Sequence, residues 1–247
     1  MNERASRIAL VTGASSGIGA ATVRELAGAG FDTIAAARRL ERCEQLAADV
    51  GGHALRLDVS DPDSVASLAA EIPRLDIVVH SAGGALGLGP IAEADEHSWR
   101  EMWESNVAGL MRVTKATLPA LRRSDDAHIV IVGSVAGVEA YEGGGGYTAA
   151  KHAAHAIAQT LRLEHLRDGI RVTEIAPGMV ETEFSLVRFG GDAERAAGVY
   201  DGIKPLSAED IAETIAFCLT RPAHVDVDYV AIKPTAQATA KISHRTS

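Results

Sequence analysis

Ile8-Ala9-Leu10-Val11-Thr12-Gly13-Ala14-Ser15-Ser16-Gly17-Ile18-Gly19 is the stretch that decides the fold. Four consecutive apolar residues read as a buried strand, and the glycines mark a turn leading out of it. Gly13 permits the tight turn. Gly17 lets backbone approach a pyrophosphate, and Gly19 lets the next helix pack close to the sheet. The helix beginning at Ile18 presents free N–H groups and a positive dipole end to phosphates, with Ser15 and Ser16 in the same loop. The spacing differs from G-x-G-x-x-G.

Working outward, short apolar runs alternate with longer helical ones. Strands are expected at 33–37, 53–57, 75–79, 129–132 and 170–175. Helices are expected from Leu40 to Val50, after the Asp61-Pro62 cap, and over 98–121 and 147–166. Continuous apolar strands separated by helices predict a doubly wound parallel α/β sheet, three layers deep. The whole chain, 1–247, reads as a single domain with a lid segment at about 178–205, where glycines punctuate an irregular run. The polar tail from Lys233 is expected to be partly frayed.

The chain has 247 residues, 47% apolar and 23% charged, with a formal net charge of -9. That length and apolar content suit a sizeable core. The negative sum excludes broad attraction to nucleic acid or an anionic membrane. Cys43 and Cys218 are too few for a disulfide framework, and no metal-ligand cluster is evident. The opening Met1-Asn2-Glu3-Arg4 lacks a signal-peptide core, no apolar run reaches spanning length, and a cytoplasmic setting is the expectation.

Two features bear on which dinucleotide binds. An acidic residue about 20 positions after the glycine turn would bind ribose hydroxyls, but the second strand ends in Ala37-Arg38-Arg39. An arginine there can clamp a 2′-phosphate, so Arg38, with Arg39 as the weaker candidate, predicts NADP(H), with NAD(H) as the alternative. Asp58, followed by Val59, either accepts from the adenine amine or caps its own turn. A local positive field from the two arginines and the helix N-terminus would have to work against an acidic whole.

Tyr147 and Lys151 are four apart and share a helix face. Tyr200 and Lys204 have the same spacing, but Gly202 lies between them and Pro205 follows, which disfavours a helix. Only the first pair has a partner, Ser134, at the exit of the strand 129–132, on the sheet edge where ligands sit. A phenol is too weak an acid–base group at neutral pH. An ammonium near 4 Å would contribute about 4 kcal/mol at an effective dielectric of about 20, or roughly three pKa units before desolvation. Ser134 can donate to a substrate oxygen as charge develops on it.

Together these pieces resemble the short-chain dehydrogenase/reductase family in its form of about 250 residues. The resemblance rests on Thr12-Gly13-x-x-x-Gly17-x-Gly19, Ser134, Tyr147-x-x-x-Lys151 and Pro177-Gly178. It implies an NADP(H)-dependent ketone reductase or alcohol dehydrogenase. It implies Asn106 as a fourth catalytic residue holding a relay water, and a nicotinamide-side role for Pro177, Gly178, Val180 and Thr182. Lys151 would also bind the nicotinamide ribose beside Tyr147. A homotetramer or homodimer built on helices 98–121 and 147–166 is implied too.

Two departures from the family stand out. The usual Asn-Asn-Ala-Gly is here His80-Ser81-Ala82-Gly83, in which Ser81, Ala82 and Gly83 still allow backbone beside the cofactor and His80 reads as a satisfied buried residue. The last strand carries Ile232-Lys233-Pro234-Thr235 in place of an acidic Gly-Gly segment, which resembles the NADP-dependent branch. Gly143 to Gly146 predict a pocket wall without side chains, open to bulky substrates. His152 and His155 read as surface or subunit contacts. The rivals are a cofactor-binding sensor without turnover, which would not need Ser134, Tyr147 and Lys151 together, and a sugar-nucleotide epimerase, which would need a longer chain.

Overall fold

The computed structural model describes residues 6–246. The opening Met1-Asn2-Glu3-Arg4 lies outside them. Seven parallel strands of the described residues form one sheet in the order β3-β2-β1-β4-β5-β6-β7. They are β1 (Ile8–Thr12), β2 (Asp32–Ala37), β3 (His53–Arg56), β4 (Ile77–His80), β5 (His128–Val132), β6 (Arg171–Pro177) and β7 (Tyr229–Ile232). Among the described residues nine α-helices connect and flank them: α1 (Gly17–Gly28), α2 (Leu40–Val50), α3 (Pro62–Glu71), α4 (Glu96–Trp103), α5 (Gly109–Leu121), α6 (Gly145–Glu164), α7 (Glu183–Arg188), α8 (Ala193–Ala197) and α9 (Ala208–Leu219). This is the doubly wound α/β fold expected from the alternation of strand and helix patterns.

Successive strand residues face opposite layers, so an apolar run serves two cores at once. Leu10, Val78 and Ile129 pack with Val65 and Leu68 of α3, Val113 of α5 and Ala158 of α6. Their neighbours Val11, Val79 and Val130 pack with Val23 of α1, Leu46 of α2 and Ile211 and Ile215 of α9. Each fully buried aliphatic side chain contributes about 1.5–3 kcal/mol, so both layers are strongly held. The chain reverses direction across the sheet between β1, which pairs β2 on one side, and β4 on the other. A crevice opens at the carboxyl ends of the strands there.

Several expectations need correction. The expected helix over 98–121 is α4 and α5 joined by one π-helical turn over Glu104–Ala108. Helix α9 was not anticipated, although Ser207 and Asp210 form a reciprocal capping box at its start. The tail is tied down: Gln237 bridges to Ser243, Ala240 N–H donates to Glu139 (2.6 Å), and Thr246 N–H donates to Gly202 (2.9 Å). Gly143–Gly146 do not open a pocket wall. Their faces are covered: a Cβ at Gly146 would meet Met102 Cε at 2.5 Å, and one at Gly145 would meet Trp99 at 3.1 Å.

Candidate active site

One cleft of about 1340 Å³ runs along the strand ends, and every site residue expected from sequence lines it except Asn106. That volume exceeds what a small ligand alone requires. Thr12 builds its floor: its hydroxyl donates to the Val79 carbonyl (3.3 Å) and accepts the N–H groups of Ser81 and Ala82 (3.1 Å each). These bonds lock the exit of β4 against the exit of β1. Gly13, with φ +68°, is forced by the contact: a Cβ there would lie 2.8 Å from the Ser81 carbonyl oxygen. A Cβ at Gly19 would lie 2.5 Å from the Gly13 carbonyl, so the helix can sit this close only without one.

The start of α1 makes no side-chain cap. The Ser16 hydroxyl instead accepts from Arg39 Nη2 (2.7 Å), and Ser15 accepts from Arg39 Nε (3.1 Å). First-turn N–H groups without a side-chain cap, above a turn that lacks a Cβ at Gly13, Gly17 and Gly19, fit the phosphates of a dinucleotide. Arg39 is the better fixed arginine, because Glu183 also pairs with it (3.0 Å) and with Arg42 (2.8 Å). Arg38 lines the same cleft, exposed, with no hydrogen bond to the described residues.

Asp58 caps its turn, accepting from Ser60 N–H (3.0 Å) and Ser60 Oγ (2.6 Å). Burial pushes its carboxyl up. The Ser60 side-chain and backbone hydrogen bonds, with Arg38 and Arg56 nearby, outweigh that and hold it below the usual value.

Past the phosphate end lies the polar trio. Ser134, after β5, accepts from Ala136 N–H (3.1 Å). Tyr147 and Lys151 open α6 and are both buried. Lys151 Nζ donates to the Val132 carbonyl (2.9 Å) and lies 5.8 Å from the Tyr147 ring centroid. Burial pushes Tyr147 up to about 12, with the Ser134 hydrogen bond opposing it. Burial pulls Lys151 down to about 8, and Glu174 opposes that. Burial therefore dominates at the phenol, where the Lys151 charge was expected from sequence to prevail.

Asn106 sits on the π-helical turn behind the cleft wall, 4% exposed. Its amide donates to the carbonyls of Met102 (2.8 Å) and Gly84 (2.9 Å), leaving Oδ1 buried with no protein partner. That open acceptor suits one ordered water. His80 is buried, bonded to Thr114 (3.1 Å) and pushed down by burial to about 3.

The segment after β6 covers the cleft. Gly178 leaves room for Gln237, whose side-chain oxygen accepts Met179 N–H (2.8 Å). Val180 bridges Leu206, and the Tyr200 hydroxyl donates to the Val180 carbonyl (2.9 Å). Tyr200 is thus a staple of the covering segment, and Lys204 is exposed. The Thr182 hydroxyl caps α7, accepting Phe184 N–H (3.2 Å), and its side chain stands over Gly17. Phe184 meets Tyr147 edge to face at 5.5 Å.

Sequence reading left three residues without a role. Arg188 donates to the Gly87 carbonyl (3.1 Å) and the Tyr141 hydroxyl (3.0 Å). Gln237 belongs to the tail that was expected to fray. Glu174 is buried and accepts from His155 Nδ1 (2.6 Å), so His155 is not merely a surface residue. Among the described residues no helix is long and apolar enough to cross a membrane.

A family model described as short chain dehydrogenase matches residues 7–188. An uncharacterized oxidoreductase of Mycobacterium tuberculosis is 55% identical over 234 residues, 95% of this chain and 93% of that one. Sulfoacetaldehyde reductase 2 of Chromohalobacter salexigens is 42% identical over 242 residues, covering 94% and 96% of the two chains. The closed form of a serine dehydrogenase complexed with NADP+ superposes with a TM-score of 0.91 at 35% identity, covering 97% of this chain and 100% of that one.

Proposed function

From the premise that this chain belongs to the short-chain dehydrogenase family and is an oxidoreductase, we propose that it transfers hydride between NADP(H) and a small ketone or secondary alcohol bearing an anionic group. The observation that carries the reading is the convergence of Ser134, Tyr147 and Lys151 on one cleft with the Gly13–Gly19 turn. NADP(H) is favoured by the solved relative's bound NADP+ and by the arginines above the turn. The Gly13–Gly19 turn and the first turn of α1 would hold the pyrophosphate. Arg38 and Arg39 would hold the 2′-phosphate, while Pro177, Gly178, Val180 and Thr182 line the nicotinamide side. When bound, the cofactor supplies or accepts the hydride.

The chain's own residues do the proton work. The Tyr147 phenol holds its proton at neutral pH, since burial raises it to about 12. It therefore stands in the state that donates to a carbonyl oxygen. Ser134 donates to the same oxygen as charge develops there. The Lys151 ammonium stabilises the phenolate left behind. Asn106, with its open Oδ1, anchors a water through which the proton is replenished.

The anionic group rests on Arg188. Its guanidinium is fixed beside Tyr147, and Nη1 makes no hydrogen bond to the described residues. The similar reductase and dehydrogenase are named for sulfoacetaldehyde and serine, which carry a sulfonate and a carboxylate. The segment at 178–205 acts as the lid that brings Phe184 and Arg188 over the substrate. The exposed apolar residues Trp103, Met111, Leu163 and Leu166 on and beside α4, α5 and α6 support an assembly of identical subunits.

The test is NADPH oxidation with 3-oxo and 2-oxo acids, followed at the nicotinamide absorbance band. Tyr147→Phe is expected to retain NADPH binding and lose about 10²–10⁴-fold in rate. NADPH binding without turnover on any carbonyl, and no effect of that substitution, would support the sensor instead.

A further inference from the structure

Glu174 is a carboxylate 1% exposed in the middle of β6, next to the catalytic wall, and the mechanism above gives it no role. Such a group is costly unless something holds it. His155, one helical turn after Lys151 on α6, supplies the holding bond, Nδ1 to Glu174 Oε2 at 2.6 Å. The other ring nitrogen, Nε2, lies 3.1 Å from the Gln159 side-chain amide, so both ring nitrogens are engaged. With Nδ1 donating to Oε2, the clamp holds the carboxylate and its charge in place.

That charge is aimed at the site. Glu174 Oε1 has no hydrogen-bond partner and sits against Gly133, where any Cβ would collide with it. Gly133 follows Val132, whose carbonyl accepts the Lys151 ammonium (2.9 Å). No ion pair joins Glu174 to Lys151, so the carboxylate acts through space. We propose that Glu174, clamped by His155, is a positioning residue that holds Lys151 in its ammonium form beside Tyr147. This rests on the roles given above to Lys151 and Tyr147.

The other charged and titratable groups around this corner are few. Tyr147 shares α6. The Arg188 guanidinium of α7 stands over the rings of Tyr147 and of Tyr141 in the preceding loop. On β7, the Tyr229 ring stacks edge-on against His155 at 5.6 Å, and burial with the charges of Glu174 and Glu139 keeps its phenol raised, hence neutral. Glu174 is the group that opposes the loss of the Lys151 proton to burial.

The experiment is a 13Cε NMR titration of Lys151, which needs no turnover and separates this inference from the proposed reaction. Glu174→Gln fills the same space and can still accept from His155 Nδ1, so a merely structural role leaves the Lys151 midpoint in place. The expected result is a midpoint about one pH unit lower. The same fall is expected in the alkaline limb of NADPH-dependent reduction. Glu174→Asp, which keeps the charge, is expected to recover at least half of that shift. If Glu174→Gln does not fold, His155→Leu carries the test. A buried carboxylate without its donor takes up a proton, and the Lys151 midpoint falls likewise. An unchanged midpoint in Glu174→Gln or His155→Leu, or an Asp variant as shifted as the Gln one, overturns the proposal. Absence of turnover with the midpoint shifted overturns the reaction assignment and leaves this inference standing.

Discussion

The Arg188 guanidinium carbon lies 5.8 Å from the centroid of the Tyr147 ring. A fixed positive charge thus stands beside the phenol that would protonate the substrate, with one nitrogen left over for a ligand. A substrate whose carbonyl meets Tyr147 can place an anionic group on Arg188 in the same pose. Arg188→Ala is expected to raise KM for an oxo acid by roughly ten- to a hundred-fold, the worth of a charge-assisted hydrogen bond. Steady-state kinetics on the acid and its methyl ester check this. The ester, having no charge to lose, is expected to change by less than about threefold.

The pH dependence follows from the two buried groups. Lys151, brought down to about 8, is cationic below that pH and loses its charge above it. Tyr147, raised to about 12, keeps its proton across the same range. The kcat/KM for reduction is expected to be flat towards neutral pH and to fall through about pH 8. A rate profile at saturating NADPH reads the limb directly. A rise through that region would mean that the phenolate is the active form in reduction.

Cofactor choice sits with the arginines. Arg38→Ala is expected to weaken NADPH binding by roughly tenfold or more and to leave NADH within about threefold. Glu183 competes for Arg39 and Arg42 with any phosphate placed between them. Glu183→Gln is therefore expected to tighten NADPH binding a few-fold, with NADH unchanged. Fluorescence titration of both cofactors measures all four values.

The floor of the cleft depends on one hydroxyl. Thr12→Val keeps the shape but leaves Ser81 and Ala82 N–H without their acceptor. The expected loss is about 1 kcal/mol, the low end of the cost of an unpaired group, for each of these part-buried N–H groups. Denaturant unfolding with an unchanged slope would report it.

What sequence reading could reach was local. The strand into Gly13 and the helix after Gly17 announce themselves because glycine chemistry and apolar period act within a few residues. The four-residue step from Tyr147 to Lys151 does the same on one helix. The unread features depend on partners far along the chain. Glu174 sits in an apolar strand with a partner 19 residues earlier, and nothing near it in sequence marks it as buried and paired. Arg188 reads as one more charge in a mixed segment until Tyr141 and Gly87 fold onto it. The four glycines before Tyr147 read as open space, but Trp99, Met102 and Tyr141 fill it from elsewhere. The π-helical turn that buries Asn106 has no composition signal, since its residues would suit an α-helix.

The central claim is that Tyr147 donates the proton in an NADPH-dependent reduction of an anionic carbonyl compound. Its most direct test is single-turnover reduction of an oxo acid by NADPH-loaded protein, wild type against Tyr147→Phe, with NADPH affinity measured on both. Rapid loss of the nicotinamide signal is expected in wild type. The variant is expected to be slower by about 10²–10⁴-fold, at unchanged NADPH affinity. Equal single-turnover rates in the two proteins would contradict it.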